Sequence, residues 1–273
     1  MPGVYLFSVD LEDVRSLIPD GRKYKEAVPR CTRIYLDWLD EIQSKATFFV
    51  VGETADAYPD LIREIYERGH ELACHTYAHG LIFEQTPEGF EGDLIRNKEA
   101  ILKTVDVPLR GFRAPMHSLI ERTKWVYPVL KKHGFVYSSS VVPSDYPFPG
   151  WPGFYEAQWQ EGIYEMPLQV ASPFLKIPFG GGVYFRLLPL WLNAWLMNAR
   201  KDANGSVISY FHPYDVDTEQ EPFMHPNLNN SAFLNRLMYI NRSRVIDRLH
   251  QLVRKGWIVQ PYSTFLQQSN IIQ

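Results

Sequence analysis

The chain has 273 residues, with 28 basic and 31 acidic side chains and a formal net charge of -3. Apolar residues make up 45% and charged ones 22%, which suits a globular domain with a deep core and excludes a disordered chain. No basic block offers a footprint for nucleic acid, and two cysteines, Cys31 and Cys74, cannot build a disulfide framework or a thiolate zinc cluster.

Met1-Pro2-Gly3 runs straight into a strand-like apolar segment at residues 4–9 that ends in acids. It lacks the basic start and apolar core of a secretory signal, so the expectation is a cytoplasmic protein. Further strands are predicted at residues 46–51, 71–74, 136–142, 162–169, 207–211 and 257–259. Helices are predicted at residues 30–43, 55–68, 87–104, 121–132 and 188–200, with one long helix at 231–254. Basic residues followed by Gly69 and Gly134 mark two of the helix ends. Such alternation predicts one α/β domain with a mostly parallel sheet, open or closed into a barrel, and ligands at the C-terminal ends of its strands.

Residues 143–182 are rich in Pro, Gly and aromatic side chains, as functional loops often are. Residues 187–197 include Trp191 and Trp195, but the run is too short to span a membrane. A buried barrel helix is the expectation there, and an interfacial helix in peripheral contact with a membrane is the alternative.

Four polar clusters carry chemistry. Ser8-Val9-Asp10-Leu11-Glu12-Asp13 places three carboxylates at the end of the first strand, as a cap or as part of a site. His75-Thr76-Tyr77-Ala78-His79 follows another strand; two imidazoles four apart meet on one face of a helical turn and can share a metal. Two His and one carboxylate form an open zinc set, and a second carboxylate supplies a base. Gly111-Phe112-Arg113-Ala114-Pro115 offers a guanidinium fork that can hold a carboxylate ionised. Finally, the strand before His212-Pro213-Tyr214-Asp215 delivers an imidazole to the same rim.

These motifs, with Ala46-Thr47-Phe48-Phe49 and Gly52 between the first two, occur in the order found in the polysaccharide deacetylases. The chain resembles that family, also known as the NodB-homology or carbohydrate esterase 4 group. Gly180-Gly181-Gly182-Val183-Tyr184-Phe185-Arg186, His212–Asp217 and the segment around 241–252 resemble a branch with a DUF3473-like extension. The resemblance implies a distorted (β/α) barrel of about seven units, formed by residues 1–273 as a single domain with the extension within 206–273.

It also implies metal-dependent removal of an N-acetyl group from a sugar in surface-glycan biosynthesis, on a nucleotide- or lipid-linked precursor. Glu12, His75 and His79 would hold Zn²⁺, or Co²⁺, Ni²⁺ or Mn²⁺, with Asp13 as a substitute ligand for Glu12. Asp10 would be the base, Arg113 its anchor and His212 the acid, with Pro115, Tyr184 and Trp151 contacting the sugar. Aromatic residues at 146–159 and 184–195 would form the sugar platform beside the metal. The family's D-x-x-D-W motif has no clean match, which leaves the partner of His212 open. Hydrolysis of another amide, such as a cyclic imide or ureide, is the second reading. A catalytically silent carbohydrate-binding protein is the third.

Overall fold

The first predicted strand breaks in two at Phe7, giving β1 (Val4–Leu6) and β2 (Ser8–Leu11). Phe7 N–H turns back onto Tyr5 C=O at 2.8 Å, and the kink lets one segment serve two sheets. The computed structural model describes residues 3–144, 149–172, 174, 177–226 and 228–272. After β2 come α1 (Val28–Glu41), β3 (Thr47–Val50), α2 (Gly52–Ala57), α3 (Pro59–Glu67), β4 (Glu71–Cys74), α4 (Pro87–Leu102) and β5 (Gly111–Phe112). Then follow α5 (Val126–Lys132), β6 (Tyr137–Ser138), β7 (Gln158–Gln160), β8 (Ile163–Glu165), α6 (Gly182–Leu187) and α7 (Leu190–Arg200). The chain ends with β9 (Ser206–Ile208), α8 (Ala232–Leu237), α9 (Val245–Arg254), β10 (Ile258–Gln260) and α10 (Tyr262–Gln268).

One sheet has the order β10-β1-β9 and the other β2-β3-β4-β5-β6-β8-β7. All pairs are parallel except the β7–β8 hairpin. The sheets join beyond β9, where Asp10 N–H donates to Phe211 C=O at 2.7 Å and Phe211 N–H to Ser8 C=O at 3.0 Å. On the far side Ile208 N–H reaches the Gln169 side chain at 3.0 Å, so a side chain stands where a ladder would close the ring. The result is the expected distorted (β/α) barrel.

Burial explains the pattern. β2 and β3 are buried at every position, which fits strands covered on both faces. Helix α1 turns Cys31, Tyr35, Leu36, Trp38 and Leu39 inward, and Tyr35 and Trp38 pack on Phe7 with ring centres 5.7 and 4.9 Å away. Thr86 caps α4 by accepting from Gly89 N–H at 3.1 Å, with Pro87 in the first turn. Gly69 and Gly134 take φ of +80° and +83° at the predicted stops.

Several elements differ from expectation. The long helix predicted at 231–254 is broken into α8 and α9, because Asn241 is left-handed and Arg186 takes Met238 C=O and Ile240 C=O at 3.0 and 2.8 Å. Those carbonyls would otherwise continue a helical ladder. The helix predicted at 55–68 breaks before Pro59 into α2 and α3, whereas the helix predicted at 188–200 is found as α7. Strand β6 stops at Ser138, since Ser139 and Ser140 turn their side chains to bonds around Arg113.

Helix α7 buries Asn193, Ala194, Leu196 and Met197, while Trp191 and Trp195 are 72% and 61% exposed. The expectation of an ordinary buried helix therefore fails for these two rings, which lie one turn apart on one face.

Candidate active site

Asp10, Glu12, His75, His79, Arg113 and His212 converge at the C-terminal ends of β2, β4 and β5 and the continuation of β9. Asp10 belongs to β2, and Glu12 follows it by two residues in nearly extended chain, which points both carboxylates to one side. Asp13 is placed elsewhere: it accepts from Arg15 N–H at 3.0 Å and pairs with the Arg15 guanidinium at 2.6 Å.

His75 continues the β4 ladder by donating its N–H to Val50 C=O at 3.0 Å. The segment to His79 is not the helical turn expected from the spacing; Thr76 and His79 have φ of +60° and +55°. Helix α4 holds this irregular turn. Asn97 donates to Thr76 C=O at 2.6 Å, and Asp93 accepts from Tyr77 N–H at 2.6 Å and Ala78 N–H at 3.2 Å. Gly52 is required beneath it, because a Cβ there would lie 2.4 Å from the Tyr77 ring.

Glu12, His75 and His79 form the metal-capable group among the described residues, with ligand atoms all within 4.8 Å of one another. His75 Nδ1 donates to Arg113 C=O at 2.8 Å, which fixes the tautomer and leaves the Nε2 lone pair facing inward. Glu12 Oε2 and His79 Nε2 meet at 2.6 Å without hydrogen-bond geometry, so a buried carboxylate oxygen stands beside a ring nitrogen unresolved. A divalent cation accepting both resolves that contact, and an N₂O donor set suits zinc and its neighbours. The residues fit the metal.

Arg113, fully buried over the Phe49 ring, gives NH1 to Asp10 Oδ1 at 2.6 Å and to Ser8 Oγ at 2.9 Å. Its NH2 donates to Tyr262 Oη at 2.7 Å. Asp10 Oδ2 is left facing the cluster, 4.0 Å from both His75 Nε2 and His212 Nε2. Burial pushes the Asp10 carboxyl up, but Arg113 with the imidazoles outweighs it and holds it at about 2.

His212 stacks on Tyr214, ring centres 4.6 Å apart, and Asp215 accepts from its backbone N–H at 2.9 Å and sits 3.1 Å from Nδ1. Burial lowers the imidazole's pKa, but Asp215, Glu12 and Asp10 overcome it and raise it to about 9. Arg186, also fully buried, holds Asp215 at 2.8 Å. The sequence left the partner of His212 open. The capping-box arrangement of His212-Pro213-Tyr214-Asp215, with the acid three residues on, is the signal that identifies it. Ser8, which opens the first motif, and Tyr262, which belongs to no motif, complete the cradle of Arg113.

The residues expected to contact the sugar lie on three separate segments. Pro115 is buried at the start of the turn after Arg113, Tyr184 sits on α6, and Trp151 packs on Phe154 at 4.9 Å. Tyr146 and Phe148 of the aromatic loop lie outside the described residues. Trp159 does not flank the metal group as expected; it is 52% exposed and lines a cleft of about 520 Å³ with Arg110, Gly134 and Gly162, at the N-terminal ends of the strands. The opening beside Glu12 is a narrow cleft between Arg15, Lys25, Tyr214 and Phe223, of about 20 Å³.

Known proteins resemble this chain in sequence and in fold. Residues 20–138 match the family described as Polysaccharide deacetylase, and residues 139–259 match a domain of unknown function, DUF3473. A peptidoglycan-N-acetylglucosamine deacetylase of Bacillus cereus is 30% identical over 125 residues, which is 45% of this chain and 57% of that protein. A chitooligosaccharide deacetylase of Rhizobium leguminosarum bv. trifolii is 38% identical over 119 residues, 37% of this chain and 55% of that one. The chain thus spans between a fifth and little more than half of the length of the curated relatives it matches first. A crystal structure from Mycobacterium smegmatis, assigned to the polysaccharide deacetylases, superposes with a TM-score of 0.65 at 22% identity, covering 99% of this chain and 91% of the other. With both matches in succession along residues 20–259 and the motif residues gathered on one barrel rim, the chain belongs to the polysaccharide deacetylase family.

Proposed function

We propose that this protein is a metal-dependent hydrolase that removes an N-acetyl group from an amino sugar. The observation that carries the reading is the convergence of three elements: the Glu12–His75–His79 group, the Asp10–Arg113 pair and the His212–Asp215 pair. A divalent ion, Zn²⁺ or alternatively Co²⁺, Ni²⁺ or Mn²⁺, would supply Lewis acidity, polarising the amide carbonyl and acidifying water. Everything else is set by the chain. Arg113 occupies Asp10 Oδ1 and keeps the carboxylate ionised, so Oδ2 is the oxygen that accepts a proton from the attacking water. Asp215 faces His212 Nδ1 and favours the imidazolium, so Nε2 donates a proton to the departing amine. Base and acid thus rest in the protonation states that amide hydrolysis requires.

The sugar class follows from the relatives, named for chitooligosaccharide and peptidoglycan N-acetylglucosamine. In this reading the substrate is an N-acetylated sugar of a surface glycan, carried by a nucleotide or a lipid, and the protein works in the cytoplasm. The segment 206–273 supplies His212 and Asp215 to the site. No helix among the described residues is long and apolar enough to cross a membrane. The exposed Trp191 and Trp195 suit peripheral contact with the inner face, where a lipid-linked sugar would be met. Liposome co-sedimentation of the wild type and a Trp191→Ser/Trp195→Ser variant tests that contact; equal absence of binding removes it.

The activity is tested by acetate release from UDP-linked, lipid-linked and polymeric N-acetyl sugars, with small cyclic amides as the comparison. Turnover of the cyclic amides alone would replace the sugar reading. Bound sugar without acetate would show a silent homologue.

A further inference from the structure

Met116 and His117 follow the Arg113–Pro115 step, and both adopt left-handed backbone angles, with φ of +53° and +50°. Side chains other than glycine rarely occupy that region, and two in succession persist only where the surroundings hold them. His117 N–H bonds Ala114 C=O at 3.0 Å and Ser118 N–H bonds Pro115 C=O at 3.0 Å, closing the turn. Ser118 Oγ in turn accepts from Ile82 N–H at 3.0 Å, anchoring the turn to the neighbouring loop.

The strained turn brings the His117 ring inside the protein. It is 6% exposed and lies edge-on to Tyr210, with ring centres 5.7 Å apart. Tyr210 is itself fixed, because Gly181 lets its backbone approach to where a Cβ would be only 2.5 Å from Tyr210 N. His117 Nε2 is buried with no hydrogen-bond partner, a condition rare enough in native proteins to need a cause. Packing alone does not supply one, since a phenyl ring would fill the same space without an unsatisfied nitrogen. His117 closes the turn that begins two residues after Arg113, which pairs with Asp10. It does not belong to the metal-capable group. Burial and the Arg113 charge keep its imidazole neutral.

We propose that His117 is a substrate-binding residue whose Nε2 hydrogen-bonds a hydroxyl of the N-acylated sugar beside the scissile amide. A hydroxyl both donates and accepts, so it satisfies Nε2 in either tautomer. This assignment rests on the deacetylase reading.

The test compares the wild type, His117→Phe and His117→Asn as full, Zn²⁺-loaded chains. The probes are an N-acetylglucosamine oligomer and its analogue lacking the hydroxyl next to the acetamido group. Loss of one neutral hydrogen bond predicts that His117→Phe raises KM for the oligomer about tenfold with kcat little changed. Zinc content should be unchanged and the melting temperature no lower. His117→Asn, which keeps a polar group and tolerates the left-handed backbone, should recover part of the loss. For the deoxy analogue, wild type and His117→Phe should be alike. Equal KM values for the oligomer, or an equal rise on both probes, overturn the assignment. If the wild type binds the oligomer in calorimetry but releases no acetate, the deacetylase reading fails. The His117 assignment then stands if His117→Phe weakens that binding and falls if it does not. A wild type that neither binds nor turns over the oligomer overturns both.

Discussion

Asp215 Oδ2 lies 2.9 Å from the His212 backbone nitrogen and 3.1 Å from its ring Nδ1, so one carboxylate orients both the main chain and the imidazole of the proposed proton donor. Burial opposes the charged ring, and Asp215 is the first of the groups that raise its pKa to about 9. The acid form is therefore present below that pH and lost above it. Asp215→Asn removes the charge, and the alkaline limb of kcat/KM should move down. Activity should fall roughly tenfold or more at pH 8 and much less at pH 6, read from a pH–rate profile. An unmoved limb would contradict the pairing.

Arg186 and Asp215 form a fully buried ion pair at 2.8 Å, and Arg186 also holds Met238 C=O and Ile240 C=O. Arg186→Met takes from the Asp215 charge the guanidinium that holds it, and should cost about 3–5 kcal/mol of stability in urea unfolding. Adding Asp215→Asn removes the stranded charge, so the double variant should be more stable than Arg186→Met alone. Strict additivity of the two losses would show that the pair is not coupled.

Glu165 is buried, and its Oε1 accepts from Ser140 N–H at 2.6 Å and Val141 N–H at 3.2 Å. Burial outweighs these bonds and raises its pKa from 4.5 to about 7. Because the folded protein holds this proton more tightly than the unfolded chain, its contribution favours folding at low pH and is lost as pH rises from about 4.5 to 7. Glu165→Gln keeps the acceptor and has no proton to lose. It should match the wild type near pH 5 and be more stable at pH 8, by up to about 3 kcal/mol on the strength of that shift. Chemical unfolding at the two pH values checks this.

Asp10 stands outside the metal-capable group, yet carries the proposed proton transfer. Asp10→Asn can retain the Arg113 bond through its amide oxygen. It should bind metal like the wild type while kcat falls by a factor of roughly 10²–10⁴. His75→Ala and His79→Ala should lose the metal itself, as read by elemental analysis. If Asp10→Asn loses metal as completely as His75→Ala, Asp10 is a ligand rather than the base.

The gathering of the candidate site residues could be read from the sequence because each lies at or just after an apolar run that becomes a buried strand. Position in the chain then implies position on the rim, as for Asp10 after Val9 and His75 after Cys74. The periods of Asp10 and Glu12 put them on one face, and the structure shows that face. What failed depends on long-range packing. The His75–His79 spacing suggests a helical turn, but Asn97 and Asp93, distant in sequence, impose an irregular one. Local periodicity supports a continuous helix through Asn241, but the buried Arg186 captures its carbonyls. Trp159 shares an aromatic-rich segment with Trp151, yet the β7–β8 hairpin carries it to the opposite end of the sheet. Tyr262, which completes the Arg113 cradle at 2.7 Å, lies in a final helix with no motif to announce it.

The central claim is that Glu12, His75 and His79 hold a metal on which deacetylation depends. The direct measurement is acetate release from an N-acetylglucosamine oligomer by chelator-treated protein, before and after stoichiometric Zn²⁺ is restored. Activity should vanish on metal removal and return with about one ion per chain, the number one such donor group can hold. Metal-free protein that releases acetate at the full rate would contradict the account.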